Sequence, residues 1–337
     1  MPVKNLAETF LKLDRKEIVL FKAIERGMRY CEWVPIEDLM AKTRLSPKAV
    51  SGGLSKLSDK KLIFKTWEPY EGYQIGFTTY DLIALSELVD RDVIISLGNL
   101  LGVGKESVVY EALGRIPATE GTETGAAGMT EEALEGDLPL AVKFHRQGGT
   151  SFKHVRRVRD HLIDQPRCAW IHAARLGAAK EFKILKRLFP EVSVPRPIAL
   201  SHHAVVMEHT GGRELYKVDL ENPEECLEII LEEVVATWKK ETVHADLSPY
   251  NVLVREDGEI VIIDWPQAVS RNHPQALELL ERDLKNVVDH FHRKYRLGFH
   301  PERDIYYGQE TEEEGEKGVE KKGEEKGEKG KRERSTS

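Results

Sequence analysis

Two short polar motifs, each joined to an apolar strand, constrain the fold of this chain most strongly. HADLSPYNVLV spans residues 244–254, and EIVIIDWPQAV spans residues 259–269. The first motif places an Asp and an Asn five residues apart before an apolar strand, and the second places another Asp at the end of the next strand. This spacing is typical of the metal site of kinases. It disfavours the alternative in which these residues only cap helices and form turns.

The same motifs predict a role for each polar side chain. Phosphoryl transfer needs a carboxylate that orients the attacking hydroxyl or water, and oxygen ligands that hold Mg²⁺ against the phosphates. We assign the first role to Asp246 and the metal-binding role to Asn251 and Asp264. His244 is expected to support the loop through hydrogen bonds rather than to act as a base.

A lysine inside an apolar strand predicts a buried ion pair. The strand is LPLAVKFHR, residues 138–146, and Lys143 interrupts its apolar run. A buried lysine is costly unless it is paired, so we expect a phosphate and a carboxylate close to it. Glu181 is the candidate carboxylate because it lies within the apolar stripe of the helix GAAKEFKILKRLF. In the alternative interpretation, Glu181 lies on the rim of that stripe and is solvated.

A segment with two glycines, upstream of this strand, predicts a loop that covers phosphates. The segment is LGVGKESVVYEA, residues 101–112. Gly102, Gly104 and the Ser107 backbone allow a hairpin to cover a triphosphate, with Lys105 and the Ser107 hydroxyl near its oxygens. The segment alone is a weak signal, and its position just before the Lys143 strand gives it weight.

A strand that ends before two glycines is the candidate adenine-binding edge. In VPRPIALSHHAVVMEHTGG, residues 194–212, the apolar strand ends at Met207 and Glu208. Such a junction offers backbone groups to an adenine, with Met207 at the back of the pocket, although the segment alone is only a strand and a turn. His202 and His203 are interpreted as surface turn residues, because no third metal ligand has a useful spacing.

Residues 1–80 show three helical patterns followed by a hairpin, which predicts a winged-helix domain. The third helix begins with Ser46 as its N-cap and Pro47 in its first turn. Residues 62–66 and 73–78 are the predicted strands of the hairpin. Residues 81–95 are predicted to form a connecting helix.

One face of the third helix carries three lysines that would suit phosphates. Such a helix often enters a DNA major groove, but no Arg, Asn or Gln lies between Ser46 and Leu62 to recognise base edges. A module that docks on protein or RNA is therefore the favoured alternative. The lysines are Lys48, Lys56 and Lys60.

Composition favours a cytoplasmic protein without membrane contact. The chain has 337 residues, a hydrophobic content of 40% and a net charge of −7, so it can bury the cores of two domains and carries no chain-wide basic field. Its three cysteines form no CxxC pair, and no signal sequence or long apolar run occurs. Two polar segments are expected to be unstructured, a flexible insertion at 116–139 and a charged tail at 309–337.

Together these residues resemble the RIO family of atypical serine/threonine kinases, specifically its winged-helix branch, RIO kinase 2, in its archaeal type. The most diagnostic parts are GKES at 104–107, HADLSPYN at 244–251 and IDWPQAV at 263–269. The resemblance covers roughly residues 1–300. It implies an α+β fold in which a winged helix precedes a two-lobed, trimmed protein-kinase-like domain over residues 96–300.

The resemblance also implies an activity, ligands and partners. It implies an ATP-dependent serine/threonine kinase with ATPase activity that phosphorylates itself and uses Mg²⁺, with Mn²⁺ as an alternative ion. Ser107 is then in the phosphate-binding loop, Lys143 on the phosphates, Asp246 in catalysis, and Asn251 and Asp264 on the metal. The implied partners are protein substrates and the precursor of the small ribosomal subunit with its rRNA, bound through the winged helix during subunit maturation.

The chain departs from related kinases in ways that leave alternatives open. Pro249 stands where the RIO loop usually has an acidic residue, and the insertion is long. Ala245 replaces the Arg with which ordinary kinases dock an activation loop, and no APE motif follows Asp264, so a peptide-docking lobe is missing. A small-molecule phosphotransferase of the aminoglycoside or choline kinase type is one alternative, disfavoured by the winged helix. A non-catalytic ribosome- or DNA-binding module is another, disfavoured by the complete polar set.

Overall fold

The structure, a computed structural model, describes residues 6–115, 137–146 and 169–297. The predicted tail at 309–337 and residues 116–136 of the predicted insertion lie outside these ranges. The described N-terminal part consists of helices and a small antiparallel sheet of order β1-β3-β2. Its elements are α1 Leu6–Leu11, α2 Arg15–Gly27, β1 Val34–Pro35, α3 Ile36–Lys42, α4 Pro47–Asp59, β2 Ile63–Thr66 and β3 Gly72–Ile75.

Helix α4 begins as the sequence predicts. The Ser46 hydroxyl oxygen accepts a hydrogen bond from Ala49 N at 3.3 Å, and Pro47 occupies the first turn. Leu54 and Leu57 lie on a face that is fully buried. The hairpin of β2 and β3 follows as the wing. The predicted winged helix is therefore confirmed.

The connecting helix, α5 Phe77–Asp90, differs from its predicted boundaries. The strand predicted over 73–78 ends at Ile75, and the helix predicted over 81–95 starts four residues earlier and ends five residues earlier. Phe77 continues the strand alternation in sequence, so the alternation alone misplaced the boundary. Asp92 has a left-handed φ of 54°, which turns the chain out of the helix.

A five-stranded antiparallel sheet forms the upper lobe of the kinase-like domain, in the order β4-β5-β6-β8-β7. The sheet begins inside the predicted connecting helix, and β6 includes the last two residues of the predicted insertion. Helix α6, Ala169–Leu188, accompanies the sheet. The strands are β4 Ile94–Val103, β5 Ser107–Gly114, β6 Leu138–His145, β7 Pro197–Ser201 and β8 Ala204–Glu208.

The second lobe combines two long helices with short strands. The strands form the sheets β12-β11-β9 and β10-β13. Only residues 271–275 separate β13 from α8, which leaves no room there for an ordinary activation segment. The elements are β9 Arg213–Glu214, a 3₁₀ turn Leu215–Lys217, α7 Pro223–Lys239, β10 Thr242–Val243, β11 Val252–Val254, β12 Ile260–Ile262, β13 Val269–Ser270 and α8 Ala276–Tyr295. The predicted α+β, two-lobed, trimmed fold is confirmed.

Alternate residues of strand β6 belong to two different cores. Leu140, Val142 and Phe144 pack in a core that also contains the winged helix and α5. Ala141 packs with α6 and the second lobe, and Lys143 shares its face of the strand. The winged helix and the upper lobe therefore share one continuous core, and Lys143 faces away from it. No helix of the described chain is long and apolar enough to cross a membrane.

Candidate active site

Lys143 is held between two carboxylates. Its Nζ lies 2.6 Å from Glu181 Oε1 and 2.6 Å from Asp264 Oδ1. Strand β6 buries the lysine and α6 buries the glutamate, whereas the Asp264 side chain is 40% exposed. The structure thus places Glu181 against Lys143 and not on a solvated rim. The Asp264 end of the triad is the end that a ligand can reach.

The electrostatics of this site keep Glu181 and Lys143 charged. Burial alone would raise the pKa of Glu181, but the Lys143 ammonium and His145 beside it lower that pKa to about 2. Burial opposes the charge on Lys143 too, yet the two carboxylates raise its pKa above the ordinary lysine value. The lysine therefore stays a cation that can bind phosphate oxygens.

His145 is a second neighbour of Glu181, which the sequence analysis missed. Its Nε2 lies 2.6 Å from Glu181 Oε2, and both side chains are 1% exposed. His145 follows Lys143 by two residues in β6, so strand periodicity places both on one face and was the available signal. Trp265 N also donates a hydrogen bond to Glu181 Oε1, at 3.1 Å. Glu181 therefore ties α6 to β6 and to the segment that carries Asp264.

His244 supports the loop of residues 244–251 that carries Asp246 and Asn251 (the catalytic loop), as predicted. Its Nε2 donates to the Ile263 carbonyl oxygen at 3.0 Å, and its Nδ1 accepts from Asp246 N at 3.2 Å. One donor and one acceptor require the neutral ring. Burial lowers the pKa of His244 to about 4, so the neutral form predominates near pH 7.

Hydrogen bonds bring Asp246, Asn251 and Asp264 to one place. Asn251 Nδ2 donates to the Asp246 carbonyl oxygen at 2.8 Å, and Ile263 N donates to the Asn251 carbonyl oxygen at 2.9 Å, next to Asp264. Partial burial raises the pKa of Asp246, and the negative charge of Asp264 adds to this. Asp246 is therefore a stronger proton acceptor than an ordinary aspartate.

Helix α8 holds the catalytic loop through hydrogen bonds from residues that the sequence analysis missed. Asp283 is buried, and its carboxylate accepts hydrogen bonds from Ala245 N at 2.6 Å and Leu247 N at 3.0 Å. Burial raises its pKa to about 6. Arg282 donates to the Ala245 carbonyl oxygen. Asp283 interrupts the apolar stripe of α8 in the same way that Glu181 interrupts the stripe of α6, so this pattern could have identified it.

Asn251 and Asp264 offer oxygen ligands that fit a hard cation. Because Asn251 Nδ2 is used in a hydrogen bond, its Oδ1 remains an acceptor. Asp264 has a left-handed φ of 69°, and one of its carboxylate oxygens lies on Lys143. Within the described residues no group of three or more His, Cys, Asp or Glu side chains could hold a metal ion. The pair suits Mg²⁺, which takes its remaining ligands from phosphates and water.

A cleft of about 500 Å³ lies between the turn that follows β4 and the segments that carry Asp246 and Asp264. Gly104 N donates to the Ser107 carbonyl oxygen at 2.8 Å and closes the turn between β4 and β5. Across the cleft, Gln267 Nε2 donates to Glu106 Oε2 at 3.2 Å. The predicted site residues that line the cleft are Gly104, Lys105, Ser107, Lys143, Asp246 and Asp264.

Five other predicted site residues lie outside this lining. Two of them, Glu181 and Asn251, contact Lys143 and the Asp246 carbonyl oxygen. The other three are the predicted nucleotide contacts Gly102, Met207 and Glu208. Met207 is buried and pairs with Ala141 in the sheet, and Glu208 is exposed at the end of β8. Glu208 N donates to the Arg196 carbonyl oxygen at 2.9 Å, so this donor is not free for an adenine. Gly102 lies in β4 with open space above its Cα. The nucleotide roles of these three residues stay predictions.

Two of the three lysines predicted to share one face of the third helix are engaged within the protein; Lys56 lies in α4 and Lys60 is its C-cap. Lys56 Nζ lies 3.1 Å and Lys60 Nζ 2.8 Å from Glu17 Oε1, and the Glu17 side chain is 2% exposed. These lysines neutralise a buried carboxylate, which the sequence analysis did not foresee. Lys48 is exposed and has no ion pair with a described residue. The free basic surface of this helix is therefore smaller than predicted.

The interpretation of His203 as a surface residue is wrong. His203 is fully buried, its Nε2 lies 2.8 Å from Asp81 Oδ1, and its ring stacks on Tyr80 with centroids 4.1 Å apart. Arg146 binds both Asp81 oxygens at 2.5 Å. His202 does lie in a turn, with a φ of 51°. These contacts join α5 to the upper lobe.

The fold and the geometry of this cleft define a protein-kinase-like phosphotransferase. A family model described as the RIO domain matches residues 121–303, and one described as the N-terminal domain of Rio2 matches residues 10–91. The chain therefore belongs to the RIO family of serine/threonine protein kinases, in its Rio2 branch.

Curated relatives and a solved structure agree with this assignment. The RIO-type serine/threonine-protein kinase Rio2 of Methanocaldococcus jannaschii is 37% identical over 80% of this chain and 93% of its own length. The serine/threonine-protein kinase rio2 of Schizosaccharomyces pombe is 33% identical over 84% and 78%. The crystal structure of a Rio2 kinase–ADP/Mg²⁺–phosphoaspartate complex from Chaetomium thermophilum superposes with a TM-score of 0.71 at 26% identity, covering 90% of this chain and 86% of that one.

Proposed function

We propose that the chain binds ATP with Mg²⁺ and transfers the γ-phosphoryl group to serine or threonine hydroxyls, including its own. The observation that carries this proposal is Lys143 Nζ at 2.6 Å from both Glu181 and Asp264, in the cleft that Asp246 also lines. The complex of the Chaetomium thermophilum kinase with ADP and Mg²⁺ supports it. Mn²⁺ can replace Mg²⁺ at a site built from oxygen ligands.

The polar residues in and beside the cleft have separate roles. Lys143 binds phosphate oxygens, and Glu181 keeps its ammonium in place. Asp246 orients the acceptor hydroxyl and takes its proton as the bond between the γ-phosphorus and ADP breaks. Asn251 and Asp264 hold Mg²⁺, which when bound neutralises charge on the phosphates. The chemistry therefore depends mainly on positioned charges.

The turn between β4 and β5 covers the phosphates in this scheme. Gly104 N closes the turn by donating to the Ser107 carbonyl oxygen, and Gly102 leaves open space beside it. Lys105 and the Ser107 hydroxyl lie on the cleft and can contact phosphate oxygens. The strand end at Met207 and Glu208 is the proposed adenine side, and Gly102 of β4 is proposed to lie over the nucleotide.

We also propose that Asp264 itself accepts the phosphoryl group during ATP hydrolysis. A carboxylate oxygen of Asp264 attacks the γ-phosphorus, and ADP leaves with the electron pair of the broken bond. Water then attacks phosphorus, restoring the carboxylate and releasing inorganic phosphate. The exposed Asp264 side chain beside Lys143 supports this step, as does the phosphoaspartate of the Chaetomium thermophilum complex.

The proposed process is maturation of the small ribosomal subunit. The winged helix holds the precursor particle and its rRNA, and the nucleotide in the cleft governs release. Two features support a switch role: a metal–nucleotide site with all its polar groups, and a short 271–275 connection where ordinary kinases dock peptides. The exposed Lys48 of α4 is a candidate phosphate contact.

The first test measures ATP turnover. Lys143→Ala and Asp264→Ala are each expected to reduce turnover by orders of magnitude, because charge stabilisation supplies most of the catalysis. Lys183→Ala is the matched control, since Lys183 is exposed on the same helix as Glu181. Wild-type turnover by either active-site variant would contradict the assignment. Phosphate transfer to choline or an aminoglycoside would favour a small-molecule kinase instead.

The second test concerns the particle. Asp246→Ala protein is expected to bind ATP and to stay on small-subunit precursors, because it holds the nucleotide without completing the reaction. Co-sedimentation with the precursors at matched nucleotide levels measures this, with Lys183→Ala again as the control. Asp246→Ala protein that is as free of particles as the wild type would count against the switch.

A further inference from the structure

Two tyrosine rings pack against each other on the surface beside the catalytic loop. Tyr216 is 38% and Tyr250 62% exposed, and their ring centroids lie 4.3 Å apart with planes tilted by 44°. Tyr216 N donates to the Pro249 carbonyl oxygen at 3.3 Å, which holds its segment against the loop. Neighbouring exposed aromatic rings form an apolar patch, and such patches commonly mark interaction sites.

This tyrosine pair, Tyr216 and Tyr250, lies next to the residues that act on an acceptor. Tyr250 directly precedes Asn251 and is four residues from Asp246. The loop between them is closed by Asn251 N, which donates to the Ser248 carbonyl oxygen at 2.9 Å. Asn251 Nδ2 also donates to the Asp246 carbonyl oxygen at 2.8 Å, which folds the loop so that Tyr250 stays near Asp246. Two or three residues of an extended chain span about 7–10 Å, which is the distance over which a substrate bound at Asp246 would meet the tyrosines.

Both rings are carried by segments with fixed positions. Strand β9 pairs with β11, the strand that follows the catalytic loop, and the 3₁₀ turn with Tyr216 follows β9 directly. Tyr250 lies in the loop that α8 holds through Asp283. Rigid support lowers the entropy cost of binding, so this tyrosine pair is suited to recognition.

The charges around the tyrosine pair favour a neutral partner group. Lys217 Nζ lies 5.2 Å from the centroid of the Tyr216 ring and 2.9 Å from Glu214 Oε1. A basic side chain arriving at Tyr216 meets this lysine, and a nucleic-acid phosphate finds it already paired with Glu214. An aromatic ring or a proline can pack on the tyrosines without either conflict.

We infer that Tyr216 and Tyr250 select acceptor segments with an aromatic residue or proline two or three residues from the phosphorylated serine or threonine. The inference rests on the proposed phosphoryl transfer by Asp246 and names the class of protein substrate. An aromatic contact of this kind changes affinity by about three- to tenfold. The preference therefore appears in the KM for the acceptor.

The experiment compares serine peptides that carry Phe, Pro, Ala, Arg or Glu at each position within three residues of the acceptor. Values of kcat/KM are measured for the wild type, Tyr250→Ala, Tyr250→Phe and the control Tyr30→Ala, whose residue is 80% exposed on the winged helix. The wild type should prefer Phe and Pro peptides over Ala peptides by about three- to tenfold. Tyr250→Ala should lose the preference, and Tyr250→Phe and Tyr30→Ala should keep it.

Three outcomes would overturn the inference. The first is a wild type that shows no preference for Phe or Pro peptides, and the second is a preference that Tyr250→Ala retains. The third is loss of oligouridine binding by Tyr250→Ala with unchanged peptide kinetics, which would assign the tyrosines to RNA binding. ATP hydrolysis by the same preparations separates the two proposals. Wild-type hydrolysis without a peptide preference overturns only this inference, whereas absent hydrolysis also overturns the proposed function. Matching melting temperatures show that each variant is folded.

Discussion

Two buried histidines are held in the neutral form by their surroundings. His203 is fully buried between α5 and the upper lobe, and His244 lies under the catalytic loop. Burial lowers the pKa of each to about 4. A histidine in the unfolded chain has a pKa of about 6.5. Between the two pKa values the unfolded state therefore binds more protons than the folded state. Stability must then fall as the pH falls through this window.

We therefore predict that each histidine lowers the free energy of unfolding by about 2 kcal/mol between pH 7 and pH 5, while Asp283, whose pKa burial raises to about 6, partly opposes this fall. His203→Gln should remove about half of the fall that the two histidines cause, whereas His273→Gln, at an exposed position, should leave it unchanged. Urea unfolding at the two pH values measures the effect. An equal pH slope for His203→Gln and the wild type would show that His203 does not carry the charge change.

Sequence patterns could identify some site residues and not others, for physical reasons. Lys143 interrupts an apolar run, so its burial could be predicted, and the spacing of Asp246, Asn251 and Asp264 indicated that these side chains lie close together. Glu181 was found because a carboxylate within an apolar stripe requires a cation. His203 could not be placed, because its partner Asp81 is 122 residues away and nothing local signals the contact. Such pairings depend on the tertiary fold.

At the scale of elements, the winged helix carries lysines with two different roles: two pair with a buried carboxylate, and Lys48 is exposed to solvent. Lys56 of α4 and Lys60, its C-cap, neutralise Glu17 of α2, whose side chain is 2% exposed. The pKa of Glu17 is lowered against the effect of burial, mainly by the hydrogen bond from Lys60. Helical spacing alone shows that these lysines share a face, but not that a carboxylate of another helix lies beneath them.

Stability and particle binding are therefore expected to depend on different lysines of this region. Lys60→Ala is expected to lower the free energy of unfolding by about 1–3 kcal/mol, because it weakens the pairing of a buried carboxylate. Lys48→Ala should leave stability unchanged and reduce the salt dependence of particle binding by about one unit of slope, as expected for one lost phosphate contact. Urea unfolding and co-sedimentation at several salt concentrations measure the two effects. Unchanged particle binding by Lys48→Ala would move the proposed contact away from α4.

Across the whole molecule, the N-terminal domain is part of the kinase core. The sequence predicts a domain at 1–80 and a separate connecting helix, because a chain pattern shows elements and not which faces meet. In the structure, residues 79–86 of α5 are buried, and Leu54 of α4 shares a core with Val142 and Val206 of the upper sheet. Glu25 of α2 also pairs with Arg175 of α6 at 3.3 Å. A cut after residue 80 would divide α5 and expose this core.

We predict that the winged helix and the upper lobe unfold in one cooperative transition. Leu54→Ala in α4 and Val206→Ala in β8 each remove a fully buried side chain from the shared core, so both should shift the same calorimetric transition to lower temperature. Leu277→Ala, at a residue 63% exposed on α8, should shift it little. The fragment 81–337 is expected to aggregate, because it loses the helices that cover the sheet. Two resolved transitions, of which Leu54→Ala moves only one and Val206→Ala only the other, would show that the two parts fold independently.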